Sequence, residues 1–124
     1  MCLNLGKNWK SQRTQLRNRT EPIIAYKVLC KDKFSPHYRH KWKMRWNVSD
    51  RQTTKVTEYR EINRGFHFYS NKKEAFKNCY FDEIVWEVEI NPKDIVAFGK
   101  IGSPLSDTVK SIVATRAKLI RLAK

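Results

Sequence analysis

The chain is poor in the residues that punctuate or staple a fold. It has four glycines, four prolines and three cysteines in 124 residues. So little glycine and proline excludes a collagen-like or low-complexity chain. Three widely spaced cysteines, Cys2, Cys30 and Cys79, are odd in number and form no CxxC pair. That excludes a disulfide framework and a cysteine-pair zinc site, and it points to a reducing setting. No apolar run approaches the length of a membrane span. The first residues also lack an apolar stretch of signal-peptide length. The expected location is therefore intracellular, with no membrane partner. Acidic residues are scarce too: 12 Asp and Glu stand against 26 Lys and Arg.

What the sequence does hold is positive charge and aromatic rings. The net charge is +14, and aromatics make up 12% of the chain. Self-repulsion at that level costs stability and favours encounter with polyanions. Residues 1–60 carry +11 of the total. Residues 1–20 contain Lys7, Lys10, Arg13, Arg17 and Arg19 and no acid. They read as a basic N-terminal arm, partly helical, ahead of a single domain over 21–124.

That domain reads as α+β: six to seven mostly antiparallel strands with one short helix packed on the sheet. IIAYKVLC predicts a first strand over 23–30. HYRHKWKMRWNV, 37–48, predicts a second, and KVTEYREI a third. GFHFYS, 65–70, is a short strand running into a helix over 72–80, because Asn71 and Glu74 form a capping-box pattern. IVWEVEI alternates Ile84, Trp86, Val88 and Ile90 against Val85, Glu87 and Glu89, so it predicts a half-buried strand. Asn91 to Asp94 has turn chemistry, and IVAFG is a short buried strand. SIVATRAKLIRL fits both helical and strand spacing, and its β-branched start favours strand.

Period-two alternation over 37–48 sets Arg39, Lys41, Lys43 and Arg45 in one row, with Trp42 and Trp46 on the opposite, core-facing side. Four like charges that close repel one another, and a phosphate backbone would offset the repulsion through counterion release. The bland alternative is a solvated edge strand guarded by lysine. The predicted nucleic-acid-binding residues are thus Lys7, Lys10, Arg13, Arg17, Arg19, Arg39, Lys41, Lys43 and Arg45. The expected partner is DNA or RNA, or a host nucleoprotein machine.

Catalytic signals are thin. His37 and His40 form HxxH, but three residues apart on a strand means opposite faces, so no metal site is predicted. His67 lies between two phenylalanines and reads as a satisfied histidine beside the core. Cys2 would serve as a nucleophile only after loss of Met1. No Gly-rich phosphate loop or Ser-His-Asp arrangement stands out, and Glu87 with Glu89 reads as wet surface. No cofactor is expected, and the balance leans away from an enzyme.

Taken together, AYKVL at 25–29, SP at 35–36, GFHFYSNKKEA at 65–75, IVAFGK at 95–100 and SIVATRAKLI at 111–120 resemble a loose group of small, mostly uncharacterised phage-encoded proteins. The resemblance spans roughly 23–122. It implies a closing strand and a viral accessory role in host takeover or defence evasion, and it supplies no functional residues. GFHFYSNKKEA is also similar, more weakly, to the glycine-aromatic strand and helix beside the nicotinamide pocket of ADP-ribosyltransferase-type folds. That likeness would put a small-ligand pocket at Tyr26, His67 and Tyr69. However, Tyr26-Lys27 stands where such enzymes place an Arg or His, and SIVATRAKLI holds no glutamate. Three functions follow: a non-enzymatic nucleic-acid binder, an enzyme or sponge acting on a nucleotide such as NAD, and a virion or assembly protein with a docking arm.

Overall fold

A computed structural model describes residues 3–4, 9–33, 40–49, 61–62, 66–101 and 109–123. Among these, eleven regular elements follow one another. They are β1 (Leu3–Asn4), α1 (Trp9–Arg17), β2 (Ile23–Cys30), β3 (Trp46–Val48), β4 (Glu61–Ile62), β5 (Phe66–Tyr69), α2 (Lys72–Lys77), β6 (Glu83–Ile90), β7 (Ile95–Ile101), β8 (Val109–Ala114) and β9 (Arg116–Leu122). Seven strands of three or more residues and the two-residue β1 and β4 form one antiparallel sheet, ordered β3-β9-β6-β2-β5-β8-β7-β1-β4. The chain is a single α+β domain, as its alternating β-rich segments imply. No described helix is long and apolar enough to cross a membrane.

The sheet is rolled, and the topology shows why. Strands β8 and β9 are joined by Thr115 alone, yet β5, β2 and β6 lie between them in the strand order. In a flat sheet, four steps of about 4.8 Å would hold them roughly 19 Å apart. One residue spans at most about 3.6 Å per step. The sheet therefore curls until its two flanks meet at Thr115. The Thr115 N–H donates to the Asp94 carbonyl at 3.0 Å, and its own carbonyl accepts from Ser49 N–H at 2.9 Å. The SIVATRAKLIRL segment is thus extended, as its β-branched start implies, but bent at Thr115 into two strands.

Inside the roll lies one core: Ile23, Ala25, Leu29, Trp42, Phe66, Phe68, Val88, Ile90, Ile95, Ile112, Ala114, Ala117 and Leu119. Trp42 is 1% exposed and stacks at 4.6 Å on Phe66 and 5.9 Å edge-on to Phe68. Rings at these separations contribute beyond their buried area. On the outer face α2 covers a smaller cluster of Val28, Ala75 and Val85. This is why Val85 is buried although the β6 pattern places it on the wet side. Asn71 caps α2 by accepting from Lys73 N–H at 2.8 Å and Glu74 N–H at 3.3 Å, which satisfies two orphan donors. The helix stops at Lys77, short of the predicted residue 80, because the Asn78 side chain donates to the Glu74 carbonyl and a turn begins.

The largest departure from expectation concerns 37–48. Residues 37–39 lie outside the described set, and 40–45 form no continuous strand: Lys41 makes an isolated bridge, and Trp46–Val48 pairs with β9. The cause is Asn47, 5% exposed. Its Oδ1 accepts from Lys43 N–H at 3.0 Å, and its Nδ2 donates to the Lys43 and Arg45 carbonyls at 3.0 and 2.8 Å. A buried side-chain amide thus takes the backbone groups that a ladder would have used. It curls the chain and swings Trp42 inward. The helix over 9–17 packs on β7 and on a 3-10 turn at Pro92–Asp94, with Leu16 against the core. Of KVTEYREI only Glu61–Ile62 is described, as β4.

Candidate functional site

The basic residues of the front half fall into two groups. The first is on α1. Lys10 and Arg13 sit over the Trp9 ring at 5.6 and 4.9 Å, and Arg17 reaches the Lys93 carbonyl at 3.4 Å. Arg19 follows the helix and is exposed. This group lies at the end of the β2–β6 ladder where Ile23 meets Ile90. The second group lies at the other end, where Cys30 meets Glu83. An eight-residue ladder is about 23 Å long, so the two groups are separate surfaces. Lys7 and Arg39 lie outside the described residues.

The second group is built from two segments that the fold brings together. A tight turn follows β2, with Lys33 N–H donating to the Cys30 carbonyl at 2.8 Å. The Lys33 carbonyl then accepts from Trp42 N–H at 2.9 Å. That bond docks the Asn47-curled segment beside the turn. The result is a groove of about 480 Å³ lined by Lys31, Asp32, Lys33, Lys41, Trp42, Lys43 and Met44. Four lysines face one aspartate across it. Lys41 and Lys43 were expected in a nucleic-acid contact, but as a strand row; they meet here through a coil. The expected row is not formed among the described residues, and Arg45, though exposed, does not line the groove.

Lys31 and Lys33 were not anticipated from sequence. Each crowns a ring: Lys31 over Phe81 at 6.0 Å and Lys33 over Trp86 at 5.7 Å. Lys33 also carries φ 68°, the only positive value at a non-glycine residue described. The left-handed region costs an ordinary residue about 1–2 kcal/mol. Lysine there gives up backbone comfort, and strain of this kind gathers at binding sites. KDKFSP reads as a loop closed by Pro36, but no glycine or asparagine marks Lys33 as its left-handed residue.

A fifth lysine, Lys27, lies on the core face of β2, outside the groove. Its Nζ donates to the His67 carbonyl at 2.8 Å and lies 5.5 Å from the Phe68 ring centre. Burial pulls its pKa from 10.5 down to about 8, because the charged form loses hydration that the interior does not replace.

The small-ligand candidates do not converge on one cavity. Tyr26 and Tyr69 are opposite each other on β2 and β5, beside the small cluster under α2. Burial first, and Glu83 second, raise the Tyr69 hydroxyl pKa. Tyr26 lines an open groove of about 700 Å³ with Ser70, Asn71, Lys72, Lys73 and Phe76. His67 is buried, and neither it nor Tyr69 lines that groove. His40 shares a 3.3 Å contact with Asn47 Oδ1 and packs on Trp42 and Phe66; His37 and Cys2 lie outside the described residues. Burial raises the Cys30 and Cys79 thiols, and nearby carboxylates add to it, which keeps them protonated and poorly nucleophilic. Among the described residues no group of three His, Cys, Asp or Glu is placed to hold a metal ion.

Compared with known proteins, the chain matches no family model, no curated protein and no solved structure.

Proposed function

We propose that this protein binds nucleic acid, alone or within a host nucleoprotein complex, through the lysine-lined groove, and does so without catalysing a reaction. The observation that carries this reading is the convergence of Lys31, Lys33, Lys41 and Lys43 from two segments on one groove, in a chain of net charge +14. Ammonium groups so arranged suit consecutive phosphates, and they position a strand without reading its sequence. The phage resemblance supports a setting in host takeover or defence evasion.

Salt dependence tests it. Four neutralised phosphates give a slope of about −3.6 in log affinity against log salt on duplex DNA, or roughly 150-fold between about 50 and 200 mM. Fluorescence anisotropy with labelled DNA and RNA should show that steepness. Lys41→Glu with Lys43→Glu should weaken binding and flatten the slope by about 2, while far-UV circular dichroism stays unchanged. Affinity that ignores salt, or survives the double charge reversal, rejects the reading.

A second reading, a nucleotide such as NAD held as substrate or cargo, rests on Tyr26 facing Lys72 and Lys73 across the 700 Å³ groove. Nicotinamide release on incubation with NAD, or a nucleotide-dependent thermal shift lost in Tyr26→Ala, would favour it.

A further inference from the structure

A turn beside the lysine groove carries a large apolar ring that neither core cluster uses. Cys30 and Glu83 close one end of the β2–β6 ladder. Two turns meet at that end: Lys31 to Lys33 follow β2, and Tyr80 to Asp82 lead into β6. The second turn is clamped. Glu83 N–H donates to the Tyr80 carbonyl at 2.9 Å, and Tyr80 N–H donates to Glu83 Oε1, also at 2.9 Å. The Cys79 thiol adds a bond to the Glu83 carbonyl at 3.2 Å. Phe81 stands at the second position of this turn and is 96% exposed, and Tyr80 before it is 78% exposed. A phenylalanine left in water forgoes the burial that normally makes it useful to a fold.

A single exposed apolar residue is ordinary; this one is set apart by its neighbour. Lys31 Nζ lies over the Phe81 ring, 6.0 Å from its centre, and Lys31 also lines the groove. The ring therefore adjoins the four lysines. Charge is divided between the two places. The groove sets Lys31, Lys33, Lys41 and Lys43 against Asp32, whereas the turn carries Asp82 and the Glu83 carboxylate. A phosphate is drawn to the first and repelled by the second. A neutral base is not repelled, and its flat face stacks on an aromatic ring.

We infer that the groove takes single-stranded nucleic acid, with phosphates on the lysines and one base stacked on Phe81. The inference rests on the nucleic-acid reading and narrows it to an unpaired strand. Inside a duplex each base is stacked on both sides and offers the ring no face. An unpaired base has one free. Stacking of this kind is tolerant of sequence, so DNA and RNA single strands are both admitted.

The test measures fluorescence anisotropy, at one salt concentration, of a short single strand as DNA and as RNA, of its duplex, and of the same backbone with abasic sites in place of bases. The chains are wild type, Phe81→Ala and Phe81→Trp. Wild type should favour the single strand over the duplex. Phe81→Ala should bind the single strand about 5- to 150-fold more weakly, the range for removing one base–aromatic stack. Phe81→Trp should bind it as wild type does. On the duplex and the abasic strand all three chains should bind alike. The ring is exposed, so urea melts of the three should coincide, and lost binding then reports the contact. If Phe81→Ala binds the single strand like wild type, or loses as much on the abasic strand, the inference is overturned. The nucleic-acid reading survives that result as long as Lys41→Glu with Lys43→Glu still weakens binding. Failure of wild type to bind any strand or duplex removes both. Binding to phosphatidylserine vesicles that Phe81→Ala loses, with no preference for the single strand, assigns the turn to a lipid surface and also overturns the inference.

Discussion

Replacing Lys27 with methionine should stabilise the protein, and should do so only on one side of a defined pH window. In the fold the amine titrates at about 8, against 10.5 for an ordinary lysine. A gap of about 2.5 pH units corresponds to about 3 kcal/mol at 1.36 kcal/mol per unit, reduced to about 2–3 because part of the residue still reaches solvent. Below pH 8 both folded and unfolded states carry the proton, and the whole penalty weighs on the fold. As pH rises from 8 to 10.5 the folded state releases its proton first. The unfolded state then binds more protons, and stability climbs. Methionine carries no charge, so the variant is relieved of about 2–3 kcal/mol of penalty at pH 7, with the relief shrinking towards pH 10.5. The lost bond to the His67 carbonyl takes back about 1 kcal/mol of that. Other lysines also discharge at high pH and relieve self-repulsion. For that reason the measurement is the difference between two urea-melt series, wild type and variant, from pH 6.5 to 10.5. Parallel pH profiles would show that the amine is not desolvated.

The remaining predictions concern the groove and what shapes it. Asn47→Ala leaves the Lys43 and Arg45 backbone groups without their partner, and should cost about 2–4 kcal/mol by denaturant melts; a loss under 1 kcal/mol would mean that the curl does not depend on this amide. Lys33→Gly relieves the left-handed backbone and should stabilise by up to about 1 kcal/mol, while weakening nucleic-acid binding. A variant that binds as wild type would place Lys33 outside the contact. Lys10→Glu with Arg13→Glu reverses charge on α1, at the far end of the ladder, and should lower affinity far less than the Lys41, Lys43 pair does in the same anisotropy titration. Equal losses would mean that both groups share one ligand.

Several elements are legible in the residues because local chemistry and tertiary demand agree. IIAYKVLC is a strand at 23–30 because β-branched and aromatic residues suit a pleated surface, and the fold places it centrally. The α2 start is fixed by Asn71, whose short amide reaches two backbone donors whatever packs above. The strand expected over 37–48 fails for the opposite reason. Its alternation is a strand's, but Asn47 at its end competes for the backbone, and nothing in the periodicity reveals that competition. Trp42 was expected in the core and is there, though by way of a coil. Lys41 and Lys43 were placed correctly as exposed cations and incorrectly as members of a row.

By itself the sequence determined the α+β class, the number of principal strands, the cap at Asn71 and the excess of positive charge, since each depends on residues within a few positions of one another. Tertiary structure alone decided which charges are neighbours. Lys31 and Lys33 meet Lys41 and Lys43 because one backbone hydrogen bond joins Lys33 to Trp42, and Lys27 faces Trp86 because residues almost 60 positions apart pair in register. Contacts at that separation follow from the rolling of the sheet around its core, a global balance of burial that no local pattern encodes.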